Sequence, residues 1–196
     1  MKILAISGSA REGGNTDALV DIVASEIESA DIECETVRLA REDIHGCRAC
    51  WACVGKGNCA FEDDAFYSIF DKMKEADGIV LASPVYTGNV SANMQAILER
   101  AAVVCDTNKE DGLLSRKAGG CLAVARRGGA LSALDVMVNF CLVQDMYVAG
   151  SSYWPIAYGR MPKEVLRDEE GTETARRLGQ NLSHLAKALA CAPGRI

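Results

Sequence analysis

The chain has 196 residues, of which 49% are hydrophobic and 24% charged, and a formal charge of −6. This is the composition of an ordinary globular protein, and the length suits one domain over 1–196. The acidic balance removes the electrostatic case for nucleic acid, and no apolar run reaches the ~18 residues of a membrane span.

Residues 2–6 (KILAI) form an unbroken apolar run, which predicts a strand buried on both faces. No targeting segment is expected before it. The run stops at Ser7-Gly8-Ser9, and Leu19, Ile22, Val23 and Ile27 then recur at helical spacing over 15–29. Residues 33–39 (ECETVRL) alternate and predict a second strand, followed by a cysteine-rich loop at 44–61. Phe66, Ile69, Phe70 and Met73 predict a helix over 63–76. Residues 78–82 (GIVLA) predict a strand stopped at Ser83-Pro84. Residues 91–104 predict a helix with Met94, Ile97, Leu98 and Ala101 on one face. A strand at 120–125, a helix at 131–143 and a short strand at 146–149 come next. A loop containing Trp154, Pro155 and Pro162 leads to a last helix over about 168–190, striped with Ala175, Leu178, Leu182, Leu185 and Leu189.

Strict alternation of strand and helix, with near-continuous apolar strands, predicts an α/β fold with a parallel sheet covered on both faces. Five such units fit the doubly wound order 2-1-3-4-5. Ligands in such sheets sit at the carboxyl ends of the strands, where the order reverses between strands 1 and 3. The loops after residues 6, 82 and 125 are therefore the places to search. The cysteine loop, inserted after strand 2, is expected on the same edge.

The first loop, Ser7 to Thr16, is rich in small residues. It offers backbone N–H groups and the positive end of a helix to an anion, with Ser9, Arg11, Asn15 and Thr16 as further donors. It is neither a Walker A loop nor a Gly-x-Gly-x-x-Gly fingerprint; a plain Gly-rich connection capped by Asn15 accounts for it equally well. The second loop, Pro84, Val85, Tyr86, Thr87, Gly88 and Asn89, has the parts to hold a flat heteroaromatic ring. A strand-to-helix turn with Ser91 as N-cap is the plainer alternative. The third, Ala125, Arg126, Arg127 and Gly128, brings two cationic side chains to the same edge.

Four of the nine cysteines fall in one thirteen-residue stretch, CRACWACVGKGNC. Cys47, Cys50 and Cys53 stand at successive x2 intervals, and Cys59 follows after five residues. That run favours a four-thiolate iron–sulfur cluster, with Gly46, Gly55 and Gly57 easing the wrap. Zinc is the main rival, although structural zinc sites usually separate two Cys-x2-Cys pairs by a longer gap. Redox-active thiols are a third reading, and a disulfide framework the weakest. Nine cysteines with no secretory signal predict a reducing, cytoplasmic setting. Cys34, Cys105, Cys121, Cys141 and Cys191 lie among apolar residues and are expected to behave as small core hydrophobes. Trp51 could shield a cluster, meet a neighbouring subunit or pack in the core. His45 and His184 have no partner constellation and are expected to be structural or on the surface.

GSAREGGNT resembles the phosphate loop of the flavodoxin-like NAD(P)H-dependent FMN reductases. SPVYTGNVSANMQAILER resembles the segment those proteins wrap around the isoalloxazine ring. With Cys-x2-Cys-x2-Cys-x5-Cys after strand 2, the chain resembles the iron–sulfur flavoproteins of anaerobic microbes, over nearly residues 1–155. The resemblance implies one FMN and one [4Fe–4S] cluster per chain. It assigns Ser9, Arg11, Asn15 and Thr16 to the FMN phosphate, Pro84–Asn89 and Ala125–Gly128 to the flavin, and Cys47, Cys50, Cys53 and Cys59 to the cluster. It also implies a homodimer or homotetramer in which the cluster of one subunit faces the flavin of another. The expected activity is electron transfer from a ferredoxin-like donor. An NAD(P)H-dependent FMN or quinone reductase without a functional cluster is the alternative. A flavin-binding redox sensor is a third reading.

Overall fold

The structure, a computed structural model, describes residues 1–192; the last four positions of the domain expected over 1–196 lie outside the described residues. Five parallel positions run β2 (Glu33–Arg38), β1 (Lys2–Ser7), β3 (Gly78–Pro84), β4 (Ala118–Ala125) and β5 (Tyr147–Val148), in the order the alternation predicts. Ile3 lies opposite Cys34 on one side and Gly78 on the other, and β3 pairs with β4 from Gly78↔Ala118 to Pro84↔Val124.

Side chains of each central strand alternate between two cores. Ile3 and Ala5 of β1, Val80 and Ala82 of β3, and Leu122 and Val124 of β4 pack under α1 (Asn15–Glu28) and α5 (Glu169–Cys191). Leu4, Ile6, Ile79, Leu81 and Cys121 face the other way. They meet α2 (Phe66–Glu75), α3 (Ala92–Thr107) and α4 (Ala130–Val143). The continuous apolar runs in the sequence follow from this double burial. Ser91 caps α3 by accepting from the Met94 N–H at 3.2 Å. Asp168 caps α5 by accepting from the Gly171 N–H at 3.0 Å, with Glu169 and Glu170 in the positive first turn.

The fifth position differs from the expected single strand at 146–149. β5 pairs with only Ala118 and Gly119 of β4. The chain then leaves the sheet and returns as β6 (Ile156–Tyr158), parallel to Ala123–Ala125. Trp154 and Pro155 made this stretch read as loop, but a proline tolerates the start of an edge strand. Its carbonyl accepts from the Ala123 N–H at 3.0 Å, and no N–H is asked of it. Other boundaries move by up to three residues: β4 starts at 118 rather than 120, α2 at 66 rather than 63, and α3 runs to 107 rather than 104. Among the described residues no helix is long and apolar enough to cross a membrane.

Gly179 sets how closely α5 approaches α1. A β-carbon there would stand 2.8 Å from Glu26 Cβ and 2.9 Å from the Val23 carbonyl oxygen. Alanine gains about 1 kcal/mol in helix propensity over glycine, whereas overpacking costs about 1–3 kcal/mol when backbone must move. Gly179→Ala should therefore lower the urea midpoint without changing the slope of the transition. A raised midpoint would show that the helices separate at no cost.

Candidate functional site

Two sites emerge from the sequence-predicted residues, and they share no lining residue. The first is a cleft of about 320 Å³ at the carboxyl edge, at the lower end of the size range of small-molecule pockets. Ser9, Arg11, Asn15, Thr16, Pro84, Val85, Tyr86, Ala125 and Arg126 line it together with Gly14, Val124, Gly159 and Arg160.

The floor of the first loop is tied down by Asp17, in the first turn of α1 and almost fully buried. Its carboxylate accepts from the Ser7 hydroxyl at 2.5 Å and from the Gly13 N–H at 2.8 Å. The Ser9 hydroxyl closes a local turn, accepting from the Arg11 N–H at 3.0 Å and donating to the Arg11 carbonyl at 2.9 Å. Asn15 uses its carbonyl oxygen on the Val165 N–H, 3.2 Å away. Gly14 stands at the N-cap with no side chain to bond the first-turn N–H groups. The amino end of α1 therefore presents uncapped donors and its dipole to the cleft. Arg11, Arg126 and Arg160 line the same cleft, and none of the three makes an ion pair among the described residues. Three guanidinium groups therefore line one cleft of an acidic chain, with Glu164 facing Arg160 as a partial counter-charge.

Thr87, Gly88, Asn89, Arg127 and Gly128, also predicted here, do not line the cleft. The first three form a tight turn in which Tyr86 and Asn89 exchange N–H···O bonds of 3.0 and 3.1 Å. Both central residues are left-handed, Thr87 at φ 54° and Gly88 at φ 73°. A β-branched residue is strained there, and such strain gathers at ligand-binding loops. Gly129, at φ 85°, fits only as glycine: a β-carbon would lie 2.9 Å from Gly88 Cα and 3.0 Å from Val85 Cγ1. Arg127 and Gly128 thus belong to a loop buttressing the turn. Gly159 and Arg160 were missed because they follow β6. The Gly159 N–H donates to the Ala125 carbonyl at 3.0 Å and brings Arg160 to the rim.

The second site is a cavity lined by all four loop cysteines with His45, Phe61, Arg100, Val103 and Val104. The loop was expected on the carboxyl edge beside the first cleft. Instead it starts there, where Asn93 Nδ2 donates to the Leu39 carbonyl at 3.0 Å, and descends along α3. Asn108, at the far end of α3, donates to the Cys53 carbonyl at 3.1 Å and accepts from the Gly57 N–H at 3.1 Å. These bonds pull the loop down over the helix flank. Left-handed backbone occurs at Ala49, Trp51, Gly55 and Gly57, but not at Gly46.

The four cysteines are free thiols. Donors stand near two of the sulfurs, the Ala49 N–H 3.4 Å from Cys47 and the Arg100 guanidinium 3.1 Å from Cys59, while Cys53 lies 3.4 Å from the Thr107 hydroxyl, whose own O–H is turned to the carbonyls of α3. Four soft sulfur donors on one mostly apolar cavity fit a thiolate-ligated iron–sulfur group chemically. Among the described residues, however, no three Cys, His, Asp or Glu side chains converge at metal-binding distance.

The remaining thiols separate into kinds. Burial pushes Cys34 up to about 11, aided by Glu28, and Cys105 up to about 12 against the opposing pull of Lys74. Cys121 is raised by its hydrogen bond to Cys141, 3.8 Å away, and by burial. These behave as the inert core residues the sequence suggests. Cys191 does not, being exposed on the last turn of α5. Trp51 is 61% exposed, so it is not part of the core. His184 is exposed on α5. The backbone N–H of His45 donates to Asp64 at 2.8 Å, and its imidazole Nε2 lies 3.9 Å from the Asp43 carboxylate.

Sheet order and cleft position define a flavodoxin-like protein. Solved structures agree: the chain superposes on RosB with a TM-score of 0.78 at 23% identity, covering 98% of this chain and 81% of that one. It also superposes on a flavodoxin from the domain Archaea with a TM-score of 0.63 at 16% identity, covering 95% and 99%. Residues 1–160 match the family model of the NADPH-dependent FMN reductases. An iron–sulfur flavoprotein of Methanocaldococcus jannaschii is 36% identical over 196 residues, 96% of this chain and 99% of the relative. One from Methanosarcina thermophila is 30% identical over 191 residues, 95% and 98% of the two chains. The chain belongs to the NADPH-dependent FMN reductase family, in its iron–sulfur flavoprotein branch, and is a flavin-dependent oxidoreductase or electron-transfer protein.

Proposed function

We propose that the chain is a single-domain, cytoplasmic electron-transfer protein that holds FMN in the carboxyl-edge cleft and a [4Fe–4S] cluster on Cys47, Cys50, Cys53 and Cys59. The observation that carries the reading is the gathering of those four free thiols on one cavity, apart from an arginine-lined cleft at the switch point. Flavin trades electrons in pairs or singly and a cluster trades them singly, so together they convert one kind of transfer into the other.

The residues supply binding and placement. Arg11 and the uncapped first turn of α1 take the FMN phosphate, with Ser9, Asn15 and Thr16 shaping its seat. Pro84, Val85, Tyr86, Ala125 and Arg126 border the ring, and Thr87, Gly88 and Asn89 hold Tyr86 in place. Arg127 and Gly128 support that turn from behind. No side-chain acid–base pair is required. A ferredoxin-like protein is the proposed donor.

The second reading is a reductase that takes hydride from NAD(P)H and has no functional cluster. It is favoured by the matched family model and by the spread of the sulfurs. Anaerobically purified protein separates the two. The first reading requires about four irons and four sulfides per chain, and Cys50→Ala should lose them while keeping FMN. Iron-free protein whose flavin is bleached rapidly by NADPH would establish the second.

The role of Arg11 has its own check. Charge-assisted hydrogen bonds contribute about 1.5–3 kcal/mol. Arg11→Ala should therefore weaken FMN by roughly 10- to 100-fold and leave riboflavin, which lacks the phosphate, nearly unchanged. Equal weakening of both would remove Arg11 from the phosphate site.

The separation of the two sites supports an oligomeric assembly. Ser91, at the cleft end of α3, and Arg100, in the cysteine cavity, are nine residues apart, about 13 Å along the helix. A homodimer or homotetramer in which loop 47–61 of one copy meets the cleft of another would shorten the electron path. Exposed Trp51 and Val54, at 61% and 58%, suit such an interface. Light scattering at micromolar concentration should give at least the dimer mass. A monomer with intact cluster-to-flavin transfer would exclude this arrangement.

A further inference from the structure

Arg100 lies on the buried face of α3 with a side chain only 4% exposed. A cation in that position is costly unless it is paired and hydrogen-bonded. The pairing is extensive. Its Nη1 bonds Asp64, whose carboxylate is fully buried, and donates to the His45 carbonyl at 3.3 Å. Its Nη2 donates to Cys59 Sγ at 3.1 Å and to the Phe61 carbonyl at 3.4 Å. The guanidinium plane covers the Phe66 ring, 4.1 Å from its centre. Asp64 in turn accepts from the His45 N–H at 2.8 Å and the Phe66 N–H at 3.1 Å.

Two features of this network exceed what packing needs. It grips the cysteine loop at both ends, at His45 before Cys47 and at Cys59 and Phe61 after it. It also orders its charges: Arg100 lies between the cysteine sulfur and the carboxylate. The nearest charge to Cys59 is therefore positive, and the N–H that carries it points at the sulfur.

We propose that Arg100 is a positioning residue that raises the reduction potential of the iron–sulfur group bound by the four cysteines, acting through its N–H···S bond to Cys59. This rests on the cluster reading above. An electron added to a thiolate-ligated group places more negative charge on the sulfurs. A cationic donor aimed at one of them stabilises that reduced form, so hydrogen bonds to sulfur shift the potential upward. No proton or bond changes hands; arginine stays protonated throughout. Lysine is not an equivalent, because a single ammonium cannot bond Asp64, two carbonyls and a sulfur in one plane.

The test is anaerobic redox titration of the cluster in wild-type protein, Arg100→Lys and the double variant Arg100→Gln/Asp64→Asn. The double variant removes both charges and leaves no orphaned carboxylate. Each sample is checked for iron, FMN content and far-ultraviolet circular dichroism. We expect a variant with wild-type FMN and a loaded cluster to titrate lower. The expected size is a roughly tenfold change in the oxidised-to-reduced ratio at fixed potential, 59 mV for one electron, with the flavin midpoint unmoved. An unchanged or higher cluster midpoint in a loaded variant overturns the proposal. Loss of the cluster from both variants while FMN is retained also overturns it, in favour of a purely structural role. Wild-type protein without iron overturns the reading beneath it, and this inference with it.

Discussion

The pairing of β1 with both β2 and β3 in parallel is the constraint on which the rest depends. A parallel neighbour on each side obliges the chain to cross over a face of the sheet before each return. Both faces are then covered, and the strands of the centre are apolar along most of their length. Because the chain leaves β1 toward β2 and later returns beside it as β3, the connections part at their carboxyl ends. A crevice opens there without any residue being spent to make it. Asp17 gives that crevice a fixed floor, since its buried carboxylate binds both the end of β1 and the first loop.

The hydrogen-bond donors that face the crevice come mostly from backbone, with arginine added. Glycine at the N-cap of α1 leaves N–H groups uncapped by any side chain, and the arginines come from three separate loops. This division explains what a single chain reading captures. A loop of small residues before a helix announces its N–H groups in sequence. An arginine delivered by a three-residue edge strand announces nothing, because three residues carry no periodicity.

That difference marks how far the sequence was legible. The sheet order and the helices could be read because double burial writes unbroken apolar runs, as in KILAI and GIVLA, and amphipathic stripes, as in α5. Nine of the predicted cleft residues line the cleft because the carboxyl-edge rule assigns whole loops. Thr87–Asn89, Arg127 and Gly128 lie behind it, since a loop's own turn geometry decides which of its residues face inward. That geometry depends here on a contact between Gly129 and Gly88, forty-one positions apart. β6 was illegible for the opposite reason: Pro155 is a turn signal in isolation and an edge-strand start only when β4 is there to donate to it. The position of the cysteine loop was equally hidden. It is set by Asn93, Arg100 and Asn108, whose polar side chains sit along α3 and give no sign in sequence of the backbone they will bind.

α3 is consequently more than a crossover. Its amino end is tied to the cleft, because the Ser91 N–H donates to Ser83 Oγ at the end of β3 at 2.9 Å. Its middle and carboxyl end carry the cysteine loop through Arg100 and Asn108. A helix is a stiff spacer, so it fixes the separation of the two sites as firmly as it joins them. Within one chain that separation cannot close by a small loop movement, since Asn108 anchors Cys53 on the far flank of the helix. In the assembly proposed above, a second copy of the chain would shorten the path between the cleft and the cysteine cavity. The indole of Trp51, beside Cys50 and on a backbone held left-handed, is exposed at the surface of that loop.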